Sequence, residues 1–224
     1  MVPSMLPLAL LVPLLVSLQA APQAPASSPD ELARRLQAKY EQVRDFTAEF
    51  EHTYEGGVLR RKAVERGRVQ VKKPGKMRWT YTAPEKKEFV SDGRTLYSYI
   101  PEDQQVLVSK VPPADEASSP ALFLAGRGDV QRDFTASAPQ VPDLGRDELA
   151  LKLVPKRPEQ EYDWLVLVLD RQSLQIRRLV TADAQGGTSS FRFSSIKENV
   201  GLPDRTFTFT IPRGVDVITD AGKK

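Results

Sequence analysis

The chain has 224 residues, of which 40% are hydrophobic and 27% charged, and its formal net charge is +3 at pH 7. It contains no cysteine and one histidine, which excludes disulfide scaffolds, thiolate metal sites and any centre that needs two imidazoles. A Ser-His-Asp arrangement could use only His52. Few kinds of enzyme remain, and we expect no catalytic residue, no metal site and no cofactor.

The N-terminal region has the features of an export signal. Its first 26 residues carry no charged side chain, and residues 5–18 form an apolar run. This run is too short to span a membrane, has the length of a signal-peptide core and is followed by small residues. Its two prolines disfavour the alternative, a helical membrane anchor. We therefore expect a signal peptide at 1–21, cleaved between residues 20 and 26, and a periplasmic protein whose single domain spans 27–220.

Helix signals open the mature chain, and strand signals follow. Ser28 can cap a helix that begins at Pro29, with Glu31 three residues after the cap and apolar residues at helical spacing beyond it. A second, short apolar helix is predicted at 121–125. Alternating segments separated by turn residues predict the strands of an antiparallel sheet. These segments are 46–54, 64–73, 77–82, 87–91, 95–100, 105–111, 149–154, 164–169, 176–182, 189–196 and 206–211.

A sheet of about ten strands twists too strongly to remain flat. It must close into a barrel, split into a sandwich or wrap around other elements, and the predicted helices could cover its open side. The segment 164–169 is apolar at every position. It can be a central strand packed on both sides, which we favour, or part of a curved sheet that lines a lipid-sized hollow.

Charged groups give only weak functional signals. His52 lies on the apolar phase of its strand and is interpreted as a half-buried structural residue. The basic residues Arg66, Arg68 and Lys72 alternate along another strand and could form a cationic stripe. A nucleic acid could bind such a stripe, but export argues against it. An acidic partner protein, anionic lipid headgroups or simply a solvated sheet edge remain as interpretations.

Three segments resemble the LolA-type family of periplasmic outer-membrane lipoprotein carriers. They are the residues 67–79, 90–99 and 207–217, and their order after an opening helix and Phe46-Thr47-Ala48-Glu49-Phe50 is more specific than any one of them. The resemblance implies a mainly β fold with a few α-helices: an incomplete, unclosed antiparallel β-barrel of about ten to eleven strands under an α-helical lid. A hydrophobic cavity beneath the lid would hold the acyl chains of lipoproteins.

The family resemblance also implies partners. A carrier would take lipoproteins from an inner-membrane ATP-driven exporter and pass them to an outer-membrane acceptor or to the outer membrane directly, acting as a monomer. The alternative is a periplasmic lipid- or lipoprotein-sensing regulator on the same fold. In the carrier, Arg66, Arg68 and Lys72 would form a basic patch that faces a partner.

Individual site residues follow from the resemblance and from strand phase. Lys73 occupies the position of a family arginine that locks the lid through hydrogen bonds to helix carbonyls, and lysine keeps the charge but not the planar set of donors. Met77 stands where the family usually has an aromatic residue. The expected acyl-chain-binding residues are Phe46, Phe50, Val69, Val71, Met77, Trp79, Leu96, Val106 and Val166.

Overall fold

A computed structural model describes residues 28–56, 61–112, 120–159, 161–182 and 186–219. Three α-helices lie in this part of the chain: α1 (Pro29–Gln42), α2 (Pro120–Leu124) and α3 (Val130–Asp133). None of the described helices is long and apolar enough to cross a membrane. The expected signal peptide and its cleavage site lie outside the described residues.

Helix α1 begins as the sequence predicts. Ser28 is its N-cap, and the Ser28 hydroxyl accepts a hydrogen bond from the backbone N–H of Glu31 at 3.2 Å. Pro29 at the first position has no N–H that would need a partner. Leu32 and Leu36, four residues apart on one side of the helix, are buried in the core.

Within the described residues, twelve strands form one sheet, in which the order is β12-β6-β5-β4-β3-β2-β1-β11-β10-β9-β8-β7. All neighbours are antiparallel except β12 and β6, which run parallel. Strands β12 and β7 are the two edges, so the sheet is not closed into a barrel. The expected mainly β, incomplete barrel is confirmed. The strands are β1 (Asp45–Gly56), β2 (Arg61–Lys72), β3 (Lys76–Ala83), β4 (Lys87–Asp92), β5 (Thr95–Ile100), β6 (Gln105–Lys110), β7 (Phe134–Ser137), β8 (Glu148–Pro155), β9 (Trp164–Asp170), β10 (Ile176–Ala182), β11 (Thr188–Glu198) and β12 (Asp216–Thr219).

One face of the sheet packs against the helices and contains the main core. Ala48 pairs with Val69 across β1 and β2, and Val69 pairs with Trp79 across β2 and β3. Side chains that are paired in this way project to the same face. They form one cluster with Leu36 of α1 and Leu124 of α2. We call this side of the sheet the inner face.

The opposite, outer face is covered by the C-terminal segment, where one sequence prediction was wrong. Residues 206–211 alternate like a strand, but Asp204–Phe207 is a short 3-10 helix and the next residues cross the outer face without a strand partner. Arg78 holds this segment by donating hydrogen bonds to the carbonyls of Thr206 at 2.6 Å and Thr208 at 2.7 Å. The alternating phenylalanines therefore pack onto the sheet and do not extend it.

Candidate binding cavity

Two cavities lie between the inner face and the helices. The first, of about 30 Å³, lies beside the C-terminal end of α1, and the second, of about 320 Å³, lies under α2. Leu124 of α2 lines both cavities and stands between them. The first is lined by Lys39, Tyr40, Val43, Phe46, Ala48, Leu124, Leu174, Gln175, Ile176, Phe193, Ile196 and Glu198. The second is lined by Met77, Trp79, Tyr81, Phe89, Leu96, Ser98, Pro120, Ala121, Leu124, Glu161, Leu179 and Phe191.

Aromatic rings form the floor of the second cavity. Trp79 contacts Phe50 edge-on, with 5.2 Å between ring centroids, and Phe191 in the same manner at 5.5 Å. Tyr81 contacts Phe89 at 5.6 Å. Such edge-to-face contacts hold the rings in place. On the sheet side the cavity wall is therefore mostly aromatic and apolar, with Ser98 as a polar member, while α2 on its other side is a helix of only five residues.

Tyr40 and Lys73 connect α1, α2 and the sheet. The Tyr40 hydroxyl donates a hydrogen bond to the carbonyl of Leu124, and its ring stacks on Phe123 at 6.1 Å between centroids. The Lys73 ammonium donates to the carbonyl of Tyr40 and lies 3.2 Å from the centroid of the Tyr40 ring. Burial lowers the pKa of Lys73 to about 8, although the carboxylate of Glu198 opposes that shift.

The C-terminal end of α2 is fastened separately to the hairpin turns of the sheet. The N–H of Gly75 donates to the carbonyl of Ala125 at 2.9 Å, and Arg127 Nη2 donates to the carbonyl of Gly93 at 2.9 Å. Gly126 ends the helix at φ +78°, where a Cβ would lie 2.6 Å from Lys73 Cδ. Only glycine allows this left-handed turn to lie so close to the lysine stem.

The structure brings four of the expected lining residues to the cavities. Phe46 lines the first, and Met77, Trp79 and Leu96 line the second. Three other residues of the expected set are buried in the same inner-face core: Phe50, Val69 and Val71.

The prediction that Val106 and Val166 line the cavity is wrong, because both side chains project from the outer face. Val106 pairs with Tyr99, next to the inner-facing Leu107, and Val166 pairs with Val180 between two inner-facing leucines. In both strands the neighbouring positions are apolar too, so the alternation of apolar and polar residues does not show which residues point to the inner face. A register error of one residue exchanges the faces.

Sequence reasoning missed several cavity residues. Phe191 and Phe193 of β11 each line a cavity, and their spacing of two residues was a sufficient signal. Tyr40 falls within the predicted first helix, and nothing in the sequence shows that its hydroxyl reaches α2. Leu179 becomes recognisable only once β10 is paired with β11.

The expected basic patch does not form one free surface. Arg66 is exposed and pairs with Glu51, the closest atoms being 2.8 Å apart, and Arg68 is exposed on the same face. Lys72, in contrast, donates to the carbonyl of Leu202 at 2.8 Å and pairs with Asp204 at 2.7 Å. Lys72 therefore holds the C-terminal segment on the outer face.

His52 lies in a polar network at the far end of the inner face. Its Nδ1 is 3.0 Å from Glu65 Oε2, and its Nε2 is 3.3 Å from the hydroxyl of Ser189. Glu65 also pairs with Lys87 at 2.6 Å. Burial raises the pKa of the Glu65 carboxyl, but the interactions with Lys87 and His52 outweigh burial and lower it. The His52 ring stacks on Phe191, with 4.1 Å between centroids. The network joins β1, β2, β4 and β11, which agrees with the structural role expected for His52.

An open antiparallel sheet with helices over apolar cavities is the architecture of a protein that encloses an apolar ligand. The sequence model for "Outer membrane lipoprotein carrier protein LolA" matches residues 41–210. An outer-membrane lipoprotein carrier protein from Chromohalobacter salexigens is 32% identical over 193 residues, covering 85% of this chain and 88% of that protein. One from Methylococcus capsulatus is 30% identical over 204 residues, covering 90% of this chain and 89% of that protein.

A solved structure shows the same fold. It is an uncharacterized conserved protein from Thermus thermophilus, with a TM-score of 0.50 and 14% sequence identity, covering 85% of this chain and 98% of that one. The chain belongs to the LolA family of outer-membrane lipoprotein carrier proteins.

Proposed function

We propose that this protein binds the acyl chains of lipoproteins in the two cavities and carries them through the periplasm. The observation that carries the proposal is the apolar space between the inner face and the helices. Exposing a chain of about sixteen carbons to water costs on the order of 12 kcal/mol, at ~0.8 kcal/mol per methylene. A lipoprotein therefore needs a shielded route between two membranes, and enclosure alone is sufficient without any catalytic step.

Binding and release both require that the cover can open. The helices are held over the cavities by a few polar links, among them those of Tyr40 and Lys73, and by the packing of α2. We infer that α1 and α2 separate when these links break, which joins the two cavities where Leu124 now stands. A cover held in this way can shield the cargo and still release it.

The route and the chain organisation are part of the same proposal. We infer that residues 1–21 are an export signal and that 27–220 form one periplasmic domain, active as a monomer. The cargo would come from an inner-membrane ATP-driven exporter and go to an outer-membrane acceptor or to the membrane itself. The relatives named as lipoprotein carriers support this role over that of a lipid sensor.

The exposed arginines of β2 fit a role in docking. Arg66 and Arg68 lie on the outer face, away from the cavities, so a partner could contact them while cargo is bound. We propose that an acidic surface of the exporter or acceptor binds there. Long-range attraction of this kind raises association rates and weakens with added salt.

The proposal is tested with a fluorescent triacylated lipopeptide presented in detergent below its micelle concentration. The wild-type protein should form a soluble complex that elutes together with the lipopeptide in gel filtration. Ser98→Trp places a large ring in the second cavity and should reduce the bound lipopeptide several-fold. Thr80→Trp, on the outer face of β3, is the matched control and should bind like wild type. Absence of a wild-type complex, or equal binding by both variants, would contradict the proposal.

A further inference from the structure

A row of inner-facing side chains leads from the second cavity to the edge of the sheet. Trp79 pairs with Phe89, and Phe89 pairs with Ser98 across β4 and β5. Ser98 in turn pairs with Leu107 of β6, and Leu107 pairs with Ile218 of β12. Since paired residues share a face, these five side chains form one transverse row on the inner face.

The row becomes steadily more exposed as it leaves the cavity. Trp79 is 5% exposed, whereas Leu107 is 42% and Ile218 46% exposed. Trp79, Phe89 and Ser98 line the second cavity, so Leu107 and Ile218 continue its wall into solvent. Scattered exposed aliphatic residues are common on protein surfaces, but two neighbours in register with a cavity wall form a continuous apolar path. We call Leu107 and Ile218 the edge strip.

The edge strip has a defined width. Along β6, the next inner-facing residues on either side of Leu107 are Gln105 and Ser109. Gln105 is paired with Asp216 of β12, which adds a carboxylate on one side. The apolar surface is therefore one residue wide between polar neighbours, which suits a single hydrocarbon chain lying across the strands better than a broad protein surface.

The far side of the cavity is less accessible. There the end of α2 is fastened to the hairpin turns by Gly75 and Arg127, and Tyr40 links α2 to α1. Access on that side requires these contacts to break. The edge strip instead reaches the cavity at Ser98, which lines it together with Pro120 at the other end of α2.

We propose that the edge strip is the path along which an acyl chain enters and leaves the second cavity. The inference rests on the proposed carrier function and adds the residues that set the rate of transfer. A chain that slides over Leu107 and Ile218 remains partly shielded from water while it passes between membrane and cavity. The strip should therefore control the rates of loading and release more strongly than the final affinity.

The test compares the loading rates of variants that carry polar substitutions on opposite faces of the sheet. A triacylated lipopeptide with an environment-sensitive fluorophore on one acyl chain is mixed with each protein by stopped flow. The double variant Leu107→Thr and Ile218→Thr places β-branched side chains, which suit a strand, at both positions but makes the strip polar. Val217→Thr is the matched control, because Val217 is 49% exposed on the same strand and pairs with the outer-facing Val106.

We expect the double variant to load and release about tenfold more slowly with unchanged equilibrium binding, while Val217→Thr stays within about twofold of wild type. If wild type binds the lipopeptide but the double variant loads as fast as Val217→Thr, the proposed role of the edge strip is wrong and the carrier function stands. If the double variant lowered equilibrium binding without slowing loading, that result would also contradict the proposed entry path. If wild type itself does not bind the lipopeptide, the carrier function fails. Circular dichroism of each variant confirms that it is folded.

Discussion

Each face of the sheet is covered by another part of the chain, and the two covers differ in how much unfilled space lies beneath them. The C-terminal segment lies on the outer face, where Phe207 is 1% exposed and Phe209 stacks on Tyr97 at 5.3 Å between centroids. The helices α1 and α2 lie on the inner face, with cavities of about 30 and 320 Å³ beneath them. Both faces bury apolar side chains. Burial alone therefore does not distinguish the two faces, whereas the unfilled space beneath α1 and α2 does.

The two covers are also attached differently. On the outer face, the carboxylate of Asp45 accepts hydrogen bonds from the backbone N–H groups of Val200 at 2.7 Å, Gly201 at 3.1 Å and Leu202 at 3.3 Å. On the inner face, one backbone hydrogen bond, from Gly75 to Ala125, is joined by links from long side chains, including the half-buried ammonium of Lys73. A short carboxylate that binds several amides at once holds its segment more rigidly than a flexible lysine does. The outer cover should thus be structural and the inner one movable.

The largest expected effect tests the outer cover. Phe207→Ala removes a ring that is almost fully buried and should lower the free energy of unfolding by about 3–5 kcal/mol. Urea denaturation followed by tryptophan fluorescence measures the loss. Lipopeptide binding by the folded protein should remain as in wild type, in contrast to Ser98→Trp.

The control for this change lies in the same segment. Ile211 is 38% exposed, and Ile211→Ala should change the free energy of unfolding by less than about 1 kcal/mol. A Phe207→Ala protein that is as stable as wild type but no longer binds lipopeptide would reverse the assignment of the two faces.

A smaller effect is expected at the attachment of the outer cover. Asp45→Ala leaves the N–H groups of Val200 and Gly201 without their acceptor and should cost about 1–3 kcal/mol, with water replacing part of the lost bonding. Asp45→Asn keeps one acceptor oxygen and should fall between Asp45→Ala and wild type in urea denaturation. Equal losses for both variants would show that the charge, and not the hydrogen bonds, holds the segment.

The sequence contained most of the fold but only a small part of the cavity lining, since four of the nine expected residues line a cavity. Local signals sufficed where only one phase was apolar, as in β1 and β3, and those strands supplied Phe46, Met77 and Trp79. They failed where successive residues are apolar, since Val106 and Val166 then have no local feature that fixes their face. The contacts of Tyr40 with α2 depend on tertiary geometry between residues 84 positions apart, which no local pattern records.

The attachment of the inner cover should depend weakly on pH. Burial lowers the pKa of Lys73 to about 8, so the unfolded chain, with an ordinary lysine pKa, binds the proton more strongly than the folded protein does. Between pH 8 and 10.5 the folded protein loses this proton first, and its stability rises with pH. Below pH 8 both states are charged, and the folded protein bears the full cost of burying the ammonium.

The contribution of Lys73 is measured as the difference in the free energy of unfolding between wild type and Lys73→Met. From pH 7 to 9.5 this difference should move in favour of wild type by up to about 1 kcal/mol, allowing for solvent screening of a half-buried group. Lys73→Arg, which stays protonated throughout, should show no such change relative to Lys73→Met. If the difference moved against wild type as the pH rises, the ammonium would be stabilised by its surroundings, and Lys73 would be a rigid structural attachment like Asp45.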